Sequence, residues 1–249
     1  MTYVSRLSGI NLAYEFTEGK GPVVMFCSGY ASDMAGTKAL ALEAWCKARG
    51  RAMLRFDYAG HGASGGVFTE NGIGDWAADA ECVLAQVAPG REVFLVGSSM
   101  GGWIALLLGP KLGARLKGLV LLAPAPDFTE TLLARELSPE QAEELRTRGV
   151  VHQPSQYGEP LPFSLALLER SAGFLVLKSE IAVTCPVRIL HGMRDDDVPW
   201  KLSLKLVEML ASQDVRLTYV KTGDHRLSTP EDLALLGQTV GALLGEDGG

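Results

Sequence analysis

Short apolar runs alternate with longer amphipathic stretches along most of the 249-residue chain. This alternation predicts an α/β fold with a mainly parallel sheet. Residues 10–16 and 22–28 read as the first strands. Between them, Glu18-Gly19-Lys20-Gly21-Pro22 is a hairpin-like turn, which predicts that the sheet starts antiparallel. Thr37 to Arg49 reads as a helix with Leu40, Ala44, Trp45 and Ala48 on one face and Gly50 as its stop. Further strands are expected at Arg51 to Phe56, Glu92 to Val96, Leu116 to Leu122, Val187 to Leu190 and Val215 to Val220. Helices are expected at Gly74 to Val87, Trp103 to Leu108, Pro199 to Leu210 and Pro230 to Leu244. Thr229 is placed to N-cap the last of these, with Pro230 at its first position. The tail from Gly245 to Gly249 is expected to be mobile.

The alternation breaks between Asp127 and Val183. Glu130 to Arg135 and Pro139 to Arg148 read as charged helices, a Pro/Gly/Ser-rich stretch covers 153–162, and another helix is expected near 164–172. Such a segment predicts a small helical cap, 127–183, inserted into a core formed by 1–126 and 184–249. The chain is 47% hydrophobic and 21% charged, with net charge −6, which gives no basic surface for nucleic acid or anionic lipid. No apolar run is long enough for a membrane span, and no secretory leader is evident at the amino terminus. Cys27, Cys46, Cys82 and Cys185 form no C-x-x-C pair, so they predict buried thiols in a reducing, cytoplasmic setting.

Chemistry concentrates at Gly97-Ser98-Ser99-Met100-Gly101. This G-x-S-x-G pattern lies between a predicted strand and a predicted helix, the context of a nucleophile elbow. A side chain at 97 or 101 would collide with the neighbouring helix or strand, while the turn holds Ser99 in a strained conformation with its hydroxyl exposed. A serine hydroxyl needs a base, and the base needs an orienting acid. In α/β-hydrolases these follow in the order serine, acid, histidine. Of the four histidines, His61 precedes the serine, His152 lies in the inserted segment, and His191 precedes any acid on the following loop. His225, after the strand 215–220, has the required position. Asp195, Asp196 and Asp197 run together after His191, and the geometry of a strand-end loop favours Asp195; Asp127 is a rival, and Asp224 adjoins the base but points elsewhere.

Two backbone N–H groups are needed for the oxyanion. Met100 follows the serine, and Tyr30 lies in the turn Cys27-Ser28-Gly29-Tyr30-Ala31, where Gly29 permits an unusual backbone angle. Trp103, Trp200 and His152 are candidates to contact substrate, together with Tyr30 and Met100 as apolar walls; Trp103 reads equally as packing in the core behind the elbow. Arg148 and Arg170 are further cap residues placed to meet an anionic leaving group, or else solvated surface charges.

These residues resemble the α/β-hydrolase superfamily. His191-Gly192-x-x-Asp195-x-x-Val198-Pro199 and Gly223-Asp224-His225 carry the resemblance with the elbow, and it too points to Asp195 as the acid. Gly29 to Met34, Gly36 to Leu40, Arg55 to Tyr58, Gly97 to Trp103, His191 to Trp200 and Asp224-His225-Arg226 are similar to the palmitoyl-protein thioesterase and acyl-glucuronide esterase family. The resemblance implies a mostly parallel eight-stranded sheet flanked by helices, and hydrolysis of thioesters or activated esters without metal or cofactor. No mitochondrial presequence is evident, which suggests a bacterial relative. The expected partner is a small-molecule ester or thioester, acted on by a monomer or dimer. A C–C bond hydrolase or enol-lactonase, a cofactor-free perhydrolase and a non-catalytic receptor are the alternatives. A proline-type aminopeptidase would need cap acids, for which Glu136, Glu140, Glu143 and Glu144 read instead as a solvated helix face.

Overall fold

The computed structural model describes residues 1–130, 137–154 and 158–246. Its eight-stranded sheet contains β1 (Thr2–Ser5), β2 (Asn11–Thr17), β3 (Lys20–Cys27), β4 (Arg51–Phe56), β5 (Val93–Ser98), β6 (Leu116–Leu122), β9 (Val187–Gly192) and β10 (Val215–Val220). The order across the sheet is β1-β2-β4-β3-β5-β6-β9-β10. β2 runs antiparallel to both of its neighbours, and the remaining pairs are parallel. The sheet therefore does start antiparallel. The turn at 18–21 does not close a hairpin, however, because β4 inserts between β2 and β3 and takes the pairing that the short turn suggested. β1 escaped the sequence reading, being four largely exposed residues with no apolar run.

The central strands carry side chains of opposite parity to opposite faces. Val23, Met25, Leu95, Leu119 and Leu121 pack with Trp76 and Trp103. Val24, Phe26, Phe94, Val96, Val120 and Leu122 pack with Leu42 and Leu236 on the other face. With both faces covered, β5 is buried at every position and reads as an unbroken apolar run. The edge strand β10 instead alternates between partly buried and exposed residues.

Helices α1 (Thr37–Ala48) and α7 (Pro230–Leu243) cover one face; α2 (Ile73–Val87) and α3 (Met100–Leu112) cover the other. The buried side of α1 is Ala39, Leu42, Glu43 and Cys46, not the predicted Leu40, Ala44, Trp45 and Ala48. Glu43 disguises that face. It is a charged residue taken inside by Arg55, 3.1 Å away, and by Lys47 at the same distance. The N-cap of α7 is as expected: the Thr229 hydroxyl accepts the Asp232 N–H, and the Asp232 carboxylate accepts the Thr229 N–H in return. Glu246, expected in a mobile tail, is anchored by its N–H to the Gly241 carbonyl (2.9 Å) and by its carboxylate to Arg51. Residues 247–249 lie outside the described residues.

Between β6 and β9 the chain forms α4 (Pro139–Arg148), an antiparallel hairpin of β7 (Val150–Gln153) and β8 (Leu161–Ser164), and α5 (Leu165–Ser171). The hairpin strands take only the two ends of the expected irregular stretch, at 153 and 161–162, while the helix expected over Glu130 to Arg135 falls almost wholly outside the described residues. α6 (Leu202–Met209) follows β9 and starts three residues later than expected, because 199–201 form a turn. Among the described residues, no helix is long and apolar enough to cross a membrane.

Candidate active site

Ser99 sits between β5 and α3 with φ +53° and ψ −119°, a left-handed conformation that costs a non-glycine residue about 1–3 kcal/mol. Its surroundings hold it there. The Ser99 N–H donates to the Leu122 carbonyl of β6 (2.9 Å), and its own carbonyl accepts from Gly102 (2.9 Å) and Ala125 (3.1 Å). The flanking glycines are obligatory for space. A Cβ on Gly97 would overlap the Gly101 carbonyl, and one on Gly101 would overlap the Cys27 carbonyl of β3. The predicted collisions on both sides of the serine are therefore present.

His225 is carried by the loop after β10. That loop rests on the end of β9: Arg194 N–H donates to Gly223 O (2.9 Å), and a Cβ on Gly192 would overlap the same carbonyl. The imidazole Nε2 lies 3.0 Å from Ser99 Oγ, and Nδ1 lies 2.8 Å from Asp195 Oδ2. Asp195 is buried, and its carboxylate accepts four hydrogen bonds. Oδ1 takes the N–H groups of Asp197 (3.0 Å) and Val198 (2.7 Å), while Oδ2 takes His225 and the buried His191 Nε2 (2.9 Å). Burial alone would raise its carboxyl, but the hydrogen bonds from His191 and His225 outweigh that and hold it well below the usual carboxylate range.

The rival acids are engaged elsewhere. Asp127 accepts the N–H groups of Val176 and Leu177, both at 2.8 Å. Asp224 accepts the Leu227 N–H within its own loop (3.0 Å). Donor atoms of Asp195, Asp197 and His225 lie within 4.8 Å of one another, close enough to suggest a metal. Both His225 ring nitrogens and both Asp195 oxygens are already occupied by hydrogen bonds, which leaves that trio poorly suited to one.

The loop after β3 lies against the serine, with a Cβ on Gly29 falling 3.4 Å from Ser99 Cβ. Gly29 does not supply the unusual backbone angle; Ala31 does, with φ +53°. Close approach is what Gly29 provides. Met100 is the first residue of α3, where a helix leaves its N–H groups without intrahelical partners.

A cavity of about 600 Å³ opens over Ser99 and His225. Its apolar walls include Tyr30, Met100, Phe128, Leu161 and Phe163. Tyr30 stacks on Phe163 at 5.1 Å between ring centroids, and its hydroxyl donates to the Pro162 carbonyl of β8. The predicted substrate contacts at Trp103, Trp200 and His152 are not part of these walls. Trp103 is wholly buried behind the elbow, its Nε1–H held by the Phe174 carbonyl (2.9 Å). Trp200 packs on Tyr219, and His152 is exposed on β7. Arg148 pairs with Glu144 and Arg170 with Asp75, both on the surface. Glu143 pairs likewise with Arg146, so Glu140, Glu143 and Glu144 form the solvated helix face expected, and Glu136 lies outside the described residues.

His61 is buried among Tyr58, Phe68 and Trp76, and burial pushes its imidazole down to about 4. Chain order alone sets His191 aside, because it precedes the acid. The signal was its four-residue spacing from Asp195, which brings the two side chains together at the strand end.

Sheet order, elbow and the Ser99–His225–Asp195 contact define an α/β-hydrolase. A family model described as serine aminopeptidase, S33, matches residues 20–167, and the chain belongs to this hydrolase family. It is 37% identical over 246 residues to the human mitochondrial palmitoyl-protein thioesterase ABHD10, covering 98% of this chain and 80% of the relative. The structure of α/β-hydrolase domain-containing protein 10 from mouse superimposes with a TM-score of 0.89 at 37% identity, covering 98% of each chain. A hydrolase-class protein from Agrobacterium vitis gives a TM-score of 0.91 at 41% identity, with 98% and 97% covered.

Proposed function

We propose that the chain is a serine hydrolase that cleaves a carboxylic ester or thioester through an acyl-enzyme. The observation that carries this reading is the hydrogen-bonded line from Ser99 Oγ through His225 to Asp195, at 3.0 and 2.8 Å. Ser99 attacks the acyl carbonyl and its proton passes to His225 Nε2. Asp195 fixes the imidazole tautomer and stabilises the cation. The N–H groups of Met100 and Tyr30 receive the oxyanion. The tetrahedral adduct collapses, and His225 gives its proton to the departing alcohol or thiol. Water then attacks the acyl-serine with His225 as base, and the proton returns to Ser99 as the carboxylic acid leaves.

The segment 127–183 acts as the cap. Its hairpin supplies Leu161 and Phe163 to the cavity, and the apolar walls suit an acyl chain. The relatives named for thioester hydrolysis support the thioester arm of the proposal. Burial pushes the thiols of Cys27 and Cys46 up to about 12 and that of Cys185 to about 11, which supports structural rather than reactive roles for them. The reading of a cytoplasmic setting rests on these unpaired thiols, and relatives described as mitochondrial do not support that compartment.

A fluorophosphonate probe should label the wild-type protein and not Ser99→Ala, which should fold normally and lose nearly all p-nitrophenyl ester turnover. Retention of that turnover in Ser99→Ala would remove the serine from the mechanism. A panel of acyl thioesters, oxygen esters, lactones and diketones separates the thioesterase reading from lactonase and C–C hydrolase activity.

A further inference from the structure

We infer that His191 and Ser203 are positioning residues that extend the Ser99–His225–Asp195 line inward to a five-member relay. The inference rests on the serine-hydrolase reading of the site. His191 is the penultimate residue of β9 and is wholly buried, as is Ser203 on α6. Its Nε2 lies 2.9 Å from Asp195 Oδ2, the same oxygen that receives His225 Nδ1 at 2.8 Å. Its Nδ1 lies 2.7 Å from Ser203 Oγ.

Proton placement follows from the partners. A carboxylate oxygen only accepts, so Nε2 of His191 carries a hydrogen, and in the neutral ring Nδ1 is then an acceptor. The Ser203 hydroxyl donates to it and fixes that tautomer. The Val198 carbonyl, 3.3 Å from Nε2, shares the same proton. Asp195 Oδ2 is thereby held between two imidazole N–H groups, while two backbone N–H groups hold Oδ1. A carboxylate free to rotate would present either oxygen to His225. This one presents only Oδ2.

The arrangement also sets how much negative charge Asp195 Oδ2 offers to His225. The His191 N–H draws charge from the carboxylate that stabilises the His225 cation. Removing that donor leaves Asp195 a stronger acceptor toward His225, so the imidazolium becomes harder to deprotonate and the acidic limb of activity moves to higher pH. Other ionisable groups face the relay. Asp197 stands within 4.8 Å of Asp195 and His225, Tyr219 is paired in register with His191 on β10, and Asp224 and Arg226 flank His225 in sequence. Lys38, whose Nζ donates to the Arg226 carbonyl, lines the same cavity with Asp196. All are unchanged across His191 variants, so a shift between variants reports on His191.

The test is the pH profile of kcat/KM for ester hydrolysis by wild type, His191→Leu, His191→Gln and Ser203→Ala, with fluorophosphonate labelling and thermal unfolding in parallel. His191→Leu should lose about tenfold in kcat/KM and shift the acidic limb up by about one unit. His191→Gln, whose amide N–H can reach Oδ2, should restore most of both. Ser203→Ala should shift the limb in the same direction by less, and it carries the test if His191→Leu does not fold. A labelled wild type whose acidic limb is the same in every folded variant overturns the relay and leaves the hydrolase reading standing. A wild type that takes no label overturns the hydrolase reading, and the relay with it.

Discussion

The floor and the roof of the cavity are built in opposite ways. The floor consists of strand ends. Ser99 is pinned by three backbone hydrogen bonds to β6, α3 and the loop after β6, and Asp195 by four N–H donors. The roof is the β7–β8 hairpin, held by side chains: the Tyr30 hydroxyl on the Pro162 carbonyl and the stack of Tyr30 on Phe163. Backbone pairing leaves little play for groups that must meet at 3 Å, as His225 and Ser99 do. Side-chain packing gives a wall whose shape can be changed by substitution without disturbing the chemistry below it. Two of the buried aspartates, Asp195 and Asp127, show the contrast in one residue type. Asp195 holds the ring of His225, whereas Asp127 ties the loop after β6 to the backbone at Val176 and Leu177.

The sharpest way to break this comparison is to neutralise both aspartates. Asp195→Asn should lower kcat by about 10³–10⁴ through the wrong histidine tautomer. Asp127→Asn should keep kcat within an order of magnitude and lose about 1–2 kcal/mol of stability. Steady-state kinetics and chemical unfolding of the two variants check this, and equal losses of kcat would erase the distinction. A smaller effect concerns His61, which lies on the turn beneath the roof. Its folded value of about 4 is below the ordinary 6.5 of an unfolded chain, so protons bind preferentially to the unfolded state. Its contribution is intact above pH 6.5 and is lost as pH falls toward 4, by about 2–3 kcal/mol. His61→Gln should flatten the fall in unfolding free energy over that window relative to wild type. The smallest effect belongs to the roof. Tyr30→Phe keeps the ring and the backbone N–H but loses the bond to Pro162, so KM should rise about threefold to tenfold with kcat little changed. A drop in kcat alone would instead place the Tyr30 hydroxyl on the floor's side of the division.

Floor and roof also differed in how far the sequence revealed them. The elbow was legible because sterics leave only glycine at 97 and 101. His225 and Asp195 were legible because chain order and strand-end loops leave few candidates. β5 and the stretch Leu119–Leu122 of β6 showed as apolar runs because both faces of the sheet are covered there. The hairpin was not legible: two strands of four residues, one containing Pro162, carry no readable period. For Trp103 the sequence leaves pocket wall and core packing equally open, and a helix starting at the elbow turns its side chain back into the core. The buried face of α1 was missed because Glu43 is internal only through Arg55 and Lys47, partners that sequence order does not reveal.

The separation of Ser99 from His225 by 126 positions has a consequence for synthesis. The ribosome delivers the elbow early and the base near the end. Domains assemble from the amino terminus as the chain emerges, but the loop bearing His225 needs β9 and β10 in place, and these span residues 187–220. Until then Ser99 lacks its hydrogen-bond partner His225. On the mechanism proposed above, a chain that lacks this loop is chemically silent, and competence arrives only with the completed sheet.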